Sequence, residues 1–341
     1  MRKYVILLVV VVIAGGVALA YPHLHKSPKS ASGAPTTSSS TTTTTAPHYP
    51  IAPLTGLPDP GGAALDRSAL TVKIENTPDA LPQWGISQAD VVYEEIVNGG
   101  ITRLAAIFNS QAPGKIGPVR SVRPTDTQVV FPIGGIFAYS GGAQYAINSI
   151  STAPVKQVDE SSAGNAMFRD PDLEAPHNLF ARGPQLFAFK GTPTPPPALF
   201  SYRPTGTAAV GAPVTSFVVP FPSIYPETWT WDSTTTSWDR TIFDQSSVTG
   251  TGQRESPKNV IVMYVNYVNG IGTMNSYANL QGSGEAMVFS DGREIVGTWS
   301  RGSSMSDVVQ YKTSSGATIR LTPGQTWVDL LNVGAALSIK R

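Results

Sequence analysis

The chain has 341 residues, enough for two domains of ordinary size, and a formal net charge of +1. A balance so close to neutral gives no argument for nucleic acid or an anionic membrane surface as the main partner, and no nucleic-acid partner is expected. Cysteine is absent, which excludes disulfides, thiolate metal sites, a cysteine nucleophile and a lipid-modified N-terminal cysteine. Charged residues make up 14% of the chain, against about 25% in an average soluble domain. The 32 glycines and 29 prolines predict many turns and short elements rather than long helices.

The N-terminus has the pattern of an export signal. Arg2 and Lys3 precede an uncharged apolar run from Tyr4 to Tyr21, and Ala18-Leu19-Ala20 offers a small-x-small cleavage site. The run reaches the ~18-residue length of a spanning helix, so a cleaved signal peptide and an uncleaved anchor both fit residues 1–26. The positive flank predicts an anchor with its C-terminal side outside. Residues 27–50 are almost entirely Ser, Thr, Pro and Ala, a composition too polar to bury a core. They are expected to act as a spacer between membrane and folded part.

Folded sequence is expected from residue 51. Leu70 to Ile74 reads as an alternating strand ending at Glu75-Asn76. Val91 to Ile96 and Ile101 to Phe108 read as two strands of a hairpin around Gly99-Gly100. A basic stretch from Lys115 to Arg123 follows, then a helix opening at Thr125, a buried strand from Ile133 to Tyr139 and a helix start at Gln144 to Ile150. Leu179 to Phe189 is expected to be a short helix. The segment 191–198, GTPTPPPA, is the expected boundary between a first domain at 51–190 and a second at 199–341. The second region carries eight strand candidates, from Val214–Val219 to Thr326–Leu330, separated by turns such as Ser290-Asp291-Gly292. The expected fold class is therefore α+β: a mixed α/β first domain followed by a β-rich, antiparallel second domain.

Histidine placement narrows the chemistry. Of His23, His25, His48 and His177, only His177 falls within the expected domains. A multi-histidine zinc site is thus excluded, and a Ser-His-Asp triad would have to use His177. There is no G-x-S-x-G elbow, phosphate-binding P-loop or dinucleotide fingerprint. No metal or cofactor is expected. Trp229, Trp231, Trp238, Trp299 and Trp327 read as β-core rather than as a sugar platform.

The stretch 89–123 concentrates the remaining chemistry. Arg103, Arg120 and Arg123 could clamp an anion, because guanidinium is planar and suited to bidentate contact with carboxylate or phosphate. They could equally pair with Glu94, Glu95 or Asp126 as structural ions. Glu94 and Glu95 are adjacent on a strand and must point to opposite faces. Either could act as a general acid if an apolar pocket raises its pKa. His177 could serve as acid/base or ligand contact, with Arg169, Asp170 and Asn178 beside it in a loop-rich region; a loop-pinning role is the alternative.

These residues also carry a resemblance. Val91-Val92-Tyr93-Glu94, Gly99-Gly100-Ile101-Thr102-Arg103, Gly117-Pro118-Val119-Arg120-Ser121, Arg169-Asp170 and Ala175-Pro176-His177-Asn178-Leu179 resemble the YerB family of bacterial extracytoplasmic proteins. So do Asn259-Val260-Ile261-Val262, Gly297-Thr298-Trp299 and Pro323-Gly324-Gln325-Thr326-Trp327 in the second region. The resemblance covers roughly residues 51 to 335. It implies a two-domain envelope protein without an assigned function, and it places the motif glutamate at Glu94. Family members are commonly lipoproteins; this chain lacks the lipidated cysteine, so its anchoring must differ.

The functional expectation is an exported, membrane-attached cell-envelope protein that binds an anionic wall polymer or an envelope partner through an Arg/Glu/His cleft. The alternative is a wall-glycan-cleaving enzyme with Glu94 or Glu95 as acid/base and the arginines holding the substrate's carboxylates.

Overall fold

The structure, a computed structural model, describes residues 49–222 and 226–341. The expected signal or anchor, and the spacer apart from its last two residues, lie outside the described residues. Among the described residues no helix is long and apolar enough to cross a membrane.

Three strands form the centre: β1 (Leu70–Asn76), β2 (Val91–Ile96) and β3 (Thr102–Phe108). All their positions are buried, because both faces of the sheet are covered. The sequence therefore shows no simple apolar–polar alternation here. β2 and β3 are antiparallel, with Glu95 opposite Arg103. The turn between them uses Gly99 and Gly100 at φ +81° and +77°, a region costly for other residues. β1 lies on the other side of β3, with Glu75 also opposite Arg103.

The sheet continues on both sides. Beyond β1 come β4 (Ile136–Tyr139) and β5 (Lys156–Asp159), both added in parallel. The second region supplies β6 (Ser216–Val219), β7 (Glu227–Asp232), β8 (Ser237–Ile242), β9 (Asn259–Val268), β10 (Gly282–Ser290), β11 (Arg293–Arg301), β12 (Gln310–Thr313), β13 (Thr326–Asn332) and β14 (Ser338–Lys340). The large sheet is twelve-stranded and runs β12-β11-β10-β9-β13-β2-β3-β1-β4-β5, with two short strands off this path. A smaller antiparallel sheet contains β8, β7, β6 and β14, with Gln245–Ser246 at its edge.

The smaller sheet packs on one face of the large one. Phe217 stacks on Phe289 at 3.6 Å and Trp229 meets Trp327 edge-on at 5.4 Å. Trp229, Trp238, Trp299 and Trp327 are all buried, so the tryptophans are β-core. The opposite face carries Val91, Tyr93, Ala105, Ile107, Val328 and Leu330, covered in part by α1 (Pro124–Val130).

The architecture is predominantly β, with only short helices, including α2 (Gln144–Ile150) and α3 (Gly183–Phe187), and is roughly consistent with the expected α+β class. Two expectations are corrected. The second region is not purely antiparallel, because β13 runs parallel to both β9 and β2. The helix expected over 179–189 is split: Leu179–Ala181 is a strand paired with Met167–Arg169, and helix begins only at Gly183, where Pro184 fits the first turn.

The segment 191–198 does not hang between separate cores. β13 inserts beside β2, so both expected domains share one sheet, and 48–341 forms one compact unit. Gly191 donates its N–H to Ser68 Oγ, Gly135 donates to the Thr192 carbonyl, and a Cβ at Gly191 would meet Gly135 at 2.2 Å.

Candidate functional site

Strand parity sorts the buried charges into two groups. Glu94 shares its face with Val92, and through register with Asp329 on β13. That face meets the smaller sheet. Glu95 shares the opposite face with Lys73, Glu75 and Arg103. The two adjacent glutamates therefore serve two different clusters.

The first cluster is built on Arg240. Along β8, Trp238, Arg240 and Ile242 point inward while Asp239 and Thr241 are half-buried. Arg240 is fully buried and spends each of its nitrogens on a carboxylate. Nη2 donates to Glu94 Oε2 at 2.9 Å, Nη1 to Glu255 Oε2 at 3.0 Å, and Nε to Glu227 Oε1. Its Cζ lies 4.4 Å over the Trp327 ring. Glu94 Oε1 accepts from Asn76 Nδ2 at 2.9 Å and Thr102 Oγ1 at 2.6 Å, and Trp327 Nε1 reaches Glu94 Oε2 at 3.3 Å. Asp329 completes the group: oxygens of Glu94, Glu227 and Asp329 lie within 4.8 Å of one another.

One cation facing four carboxyls in a dry interior cannot keep all of them ionised at no cost. Burial pushes Glu227 up to about 8, the Glu94 charge adds to this, and Arg240 opposes it. Burial likewise holds Asp329 well above the carboxylate range, reinforced by Glu227 and Glu94. Arg240 loses by burial but gains more from its three acids, so its pKa lies above the ordinary value. A cavity of about 300 Å³ abuts this cluster, lined by Asn76, Glu94, Thr102, Phe221, Glu227 and Ile242 among others.

The second cluster faces the helix side. Lys73 Nζ is fully buried between Glu95 Oε1 and Asp126 Oδ1, the latter at 2.7 Å. Asp126 also accepts the Arg123 N–H at 2.6 Å and so caps α1. Next to this triad stand Arg103, Arg120 and Arg123. Arg103 donates Nη1 to the Ser121 carbonyl at 3.1 Å. Arg123 reaches the Val122 carbonyl and, at 3.0 Å, Asn98 Oδ1. Arg120 is placed by Gly117, whose φ of +143° and close approach to Val119 exclude a side chain, and by its own N–H bond to the Lys73 carbonyl.

Glu75 is the acid that Arg103 and Arg120 face. Arg120 Nε lies 3.2 Å from Glu75 Oε1, an ion pair whose N–H is not aligned as a hydrogen bond. His177 Nδ1 lies 2.9 Å from Glu75 Oε2. Burial pushes Arg103 down to about 10, helped by the charges of Arg123 and then Arg120, with Glu75 and Glu95 opposing. It remains a cation at neutral pH. The Nε atoms of all three arginines lack a hydrogen-bond partner. Exposure grades outward, from 6% for Arg103 to 21% for the Arg120 side chain and 26% for that of His177.

The structure thus brings Arg103, Arg120 and His177 together around Glu75, with Arg123 beside Arg103 and Glu95 next to them. It does not bring Glu94 to them, because the pleat turns Glu94 to the other face. Arg169, Asp170 and Asn178 staple the loop that carries His177. Arg169 pairs with Glu160 at 2.8 Å and donates to Asn178 Oδ1, and Asp170 pairs with Lys115 at 2.7 Å. The sequence reading missed Glu75, Lys73, Arg240, Glu227, Glu255 and Asp329. The inward parity of Arg240 with Trp238 and of Glu227 with Trp229 was a usable signal; the meeting of these strands across two sheets was not.

Fold and sites together define a two-sheet, β-rich protein with one buried acidic cluster and one half-buried cationic cluster. Residues 54–192 match the family described as protein of unknown function (DUF3048) N-terminal domain, and residues 217–328 match its C-terminal domain; the chain belongs to this YerB-like family. It is 34% identical over 130 residues to "Putative lipoprotein YerB" of Bacillus subtilis (strain 168), a stretch covering 38% of this chain and 39% of that relative. The crystal structure of YerB protein from Bacillus subtilis superposes with a TM-score of 0.73 at 22% identity, covering 85% of this chain and 99% of that one, which shows the shared fold.

Proposed function

We propose that this chain is an extracytoplasmic, membrane-tethered binding protein of the cell envelope, and that its Arg103–Arg120–Arg123 cleft with His177 takes up a carboxylate or phosphate group of an anionic wall polymer or envelope partner. The observation that carries the reading is the charge imbalance of the cleft. Lys73, Arg103, Arg120 and Arg123 meet only the carboxyls of Glu75, Glu95 and Asp126, and Arg120 pairs with Glu75 at the half-buried edge of the group. An incoming anion would meet the part-exposed Arg120 guanidinium, with the buried Arg103 charge behind it. The relative's printed name supports the envelope location. With no cysteine to lipidate, tethering here falls to the apolar Tyr4–Tyr21 run.

The catalytic alternative has less support. Glu94 does have a second carboxyl nearby in Glu227, and both border the cavity, yet both are buried and each spends an oxygen on Arg240. Glu95 is held by Lys73. Neither is presented to a bond in a bulky glycan.

Two experiments test the proposal. Protease treatment of intact protoplasts expressing the full chain should digest the folded part; protection inside the cell contradicts the location. Titration calorimetry of the full chain with inorganic phosphate and with purified wall fragments should show saturable, salt-sensitive binding. No heat with either probe contradicts the ligand class.

A further inference from the structure

The Glu94–Glu227–Asp329 cluster lies on the far face of the sheet from the proposed anion cleft, and that cleft makes no use of it. Its hydrogen bonding is incomplete. Arg240 takes Glu94 Oε2, Glu227 Oε1 and Glu255 Oε2, and Asn76 and Thr102 take Glu94 Oε1. Glu227 Oε2 and both Asp329 oxygens are buried and make no hydrogen bond of good geometry, with the Trp229 indole beside Asp329 and the Glu94 carboxyl beside Glu227 as their nearest polar neighbours. Asp329 is 0% exposed and sits opposite Glu94 in the β2–β13 register, so its carboxylate is aimed into the group. An interior carboxyl short of donors is expensive unless a proton or a cation meets it.

We infer that Glu94, Glu227 and Asp329 form a binding site for a hard divalent cation, of which calcium fits best. The donors are all carboxylate oxygens, the ligand set that calcium and magnesium prefer over softer metals. Their mutual separation, within 4.8 Å, suits oxygens on opposite sides of an ion at the calcium distance of about 2.3–2.6 Å. Magnesium, at about 2.0–2.1 Å, would require the cluster to contract. Four carboxyls against the one guanidinium leave room for two further positive charges. The adjoining cavity of about 300 Å³ is bordered by Glu94 and Glu227, two of the three donors, and by the polar side chains of Asn76 and Thr102.

The bound ion would tie β2 and β13 of the large sheet to β7 of the smaller one. It would therefore act on the register between the two sheets.

Terbium(III) reports on the site directly, because Trp327 donates to Glu94 and can sensitise terbium emission. With the full chain, sensitised emission should appear on adding terbium, calcium should compete it away, and calcium should raise the melting temperature. In Asp329→Asn, whose side chain has the same shape, half-maximal emission should need more than about ten-fold higher terbium, and the calcium-dependent rise in melting temperature should vanish. Glu227→Gln provides the same comparison should Asp329→Asn not fold. The exposed Glu285→Gln should behave as the parent chain. The assignment is overturned if the parent chain shows neither signal, or if both signals persist unchanged in the folded variants.

Discussion

Arg240 bonds three different carboxylates with its three nitrogens while fully buried, and each of those acids depends on it. Removing it would strand Glu94, Glu227 and Glu255 in an interior where an unpaired charge has no solvent. We predict that Arg240→Met lowers unfolding free energy by about 3–5 kcal/mol, read as a shift of the denaturant midpoint. A loss below about 1 kcal/mol would mean that the acids hold one another by shared protons and that the guanidinium is dispensable. Arg120 contrasts with it. Its side chain is 21% exposed and makes one imperfect ion pair with Glu75, a contact of the partly exposed kind that contributes little to stability. Its replacement should leave the melting temperature almost unchanged, which makes it the better probe of binding.

At the level of elements, α1 starts where Asp126 caps it and where Lys73 from β1 reaches it. Two carboxyls share that single ammonium. Burial pushes Asp126 up to about 6 from an ordinary 3.8, with Lys73 opposing and Glu95 reinforcing the rise. A group whose folded pKa is raised contributes its full stability below the unfolded value and loses it as pH climbs through the folded value. Melting temperature should accordingly fall between about pH 4 and pH 6 in the parent chain, from this group, and Asp126→Asn should flatten that part of the profile. A slope unchanged in the variant would assign it to another acid. The same elements show what could be read in advance. The β2–β3 hairpin, α1 and the inward tryptophans follow from glycine placement, β-branched runs and alternation. The opposite fates of Glu94 and Glu95 follow from the pleat. Which fate belongs to which residue depends on β7 and β8, more than a hundred residues later, packing on one face. No local pattern around Glu94 contains that information, just as nothing around 191–198 shows that β13 will pair with β2.

Across the whole molecule, that β2–β13 pairing has a direct consequence. Residues 49–190 alone would leave β2 as an open edge, and residues 199–341 would leave β13 exposed in the same way. Expressed separately, the halves should be insoluble or should rescue each other only when co-expressed; two soluble, cooperatively melting halves would contradict the shared-sheet architecture. The shared sheet also brings Glu75, at the end of β1, and Arg103, at the start of β3, beneath the loops carrying Arg120, Arg123 and His177. The central claim is that this assembly binds an anion. Its most direct test is calorimetric titration of wall fragments into the full chain and into Arg120→Ala, with thermal melts of both. The account predicts an affinity lower by ten- to a hundred-fold, the loss of one charge-assisted contact of about 1.5–3 kcal/mol, with an unchanged melting temperature. Unchanged affinity together with a lowered melting temperature would contradict it and leave Arg120 as a structural ion.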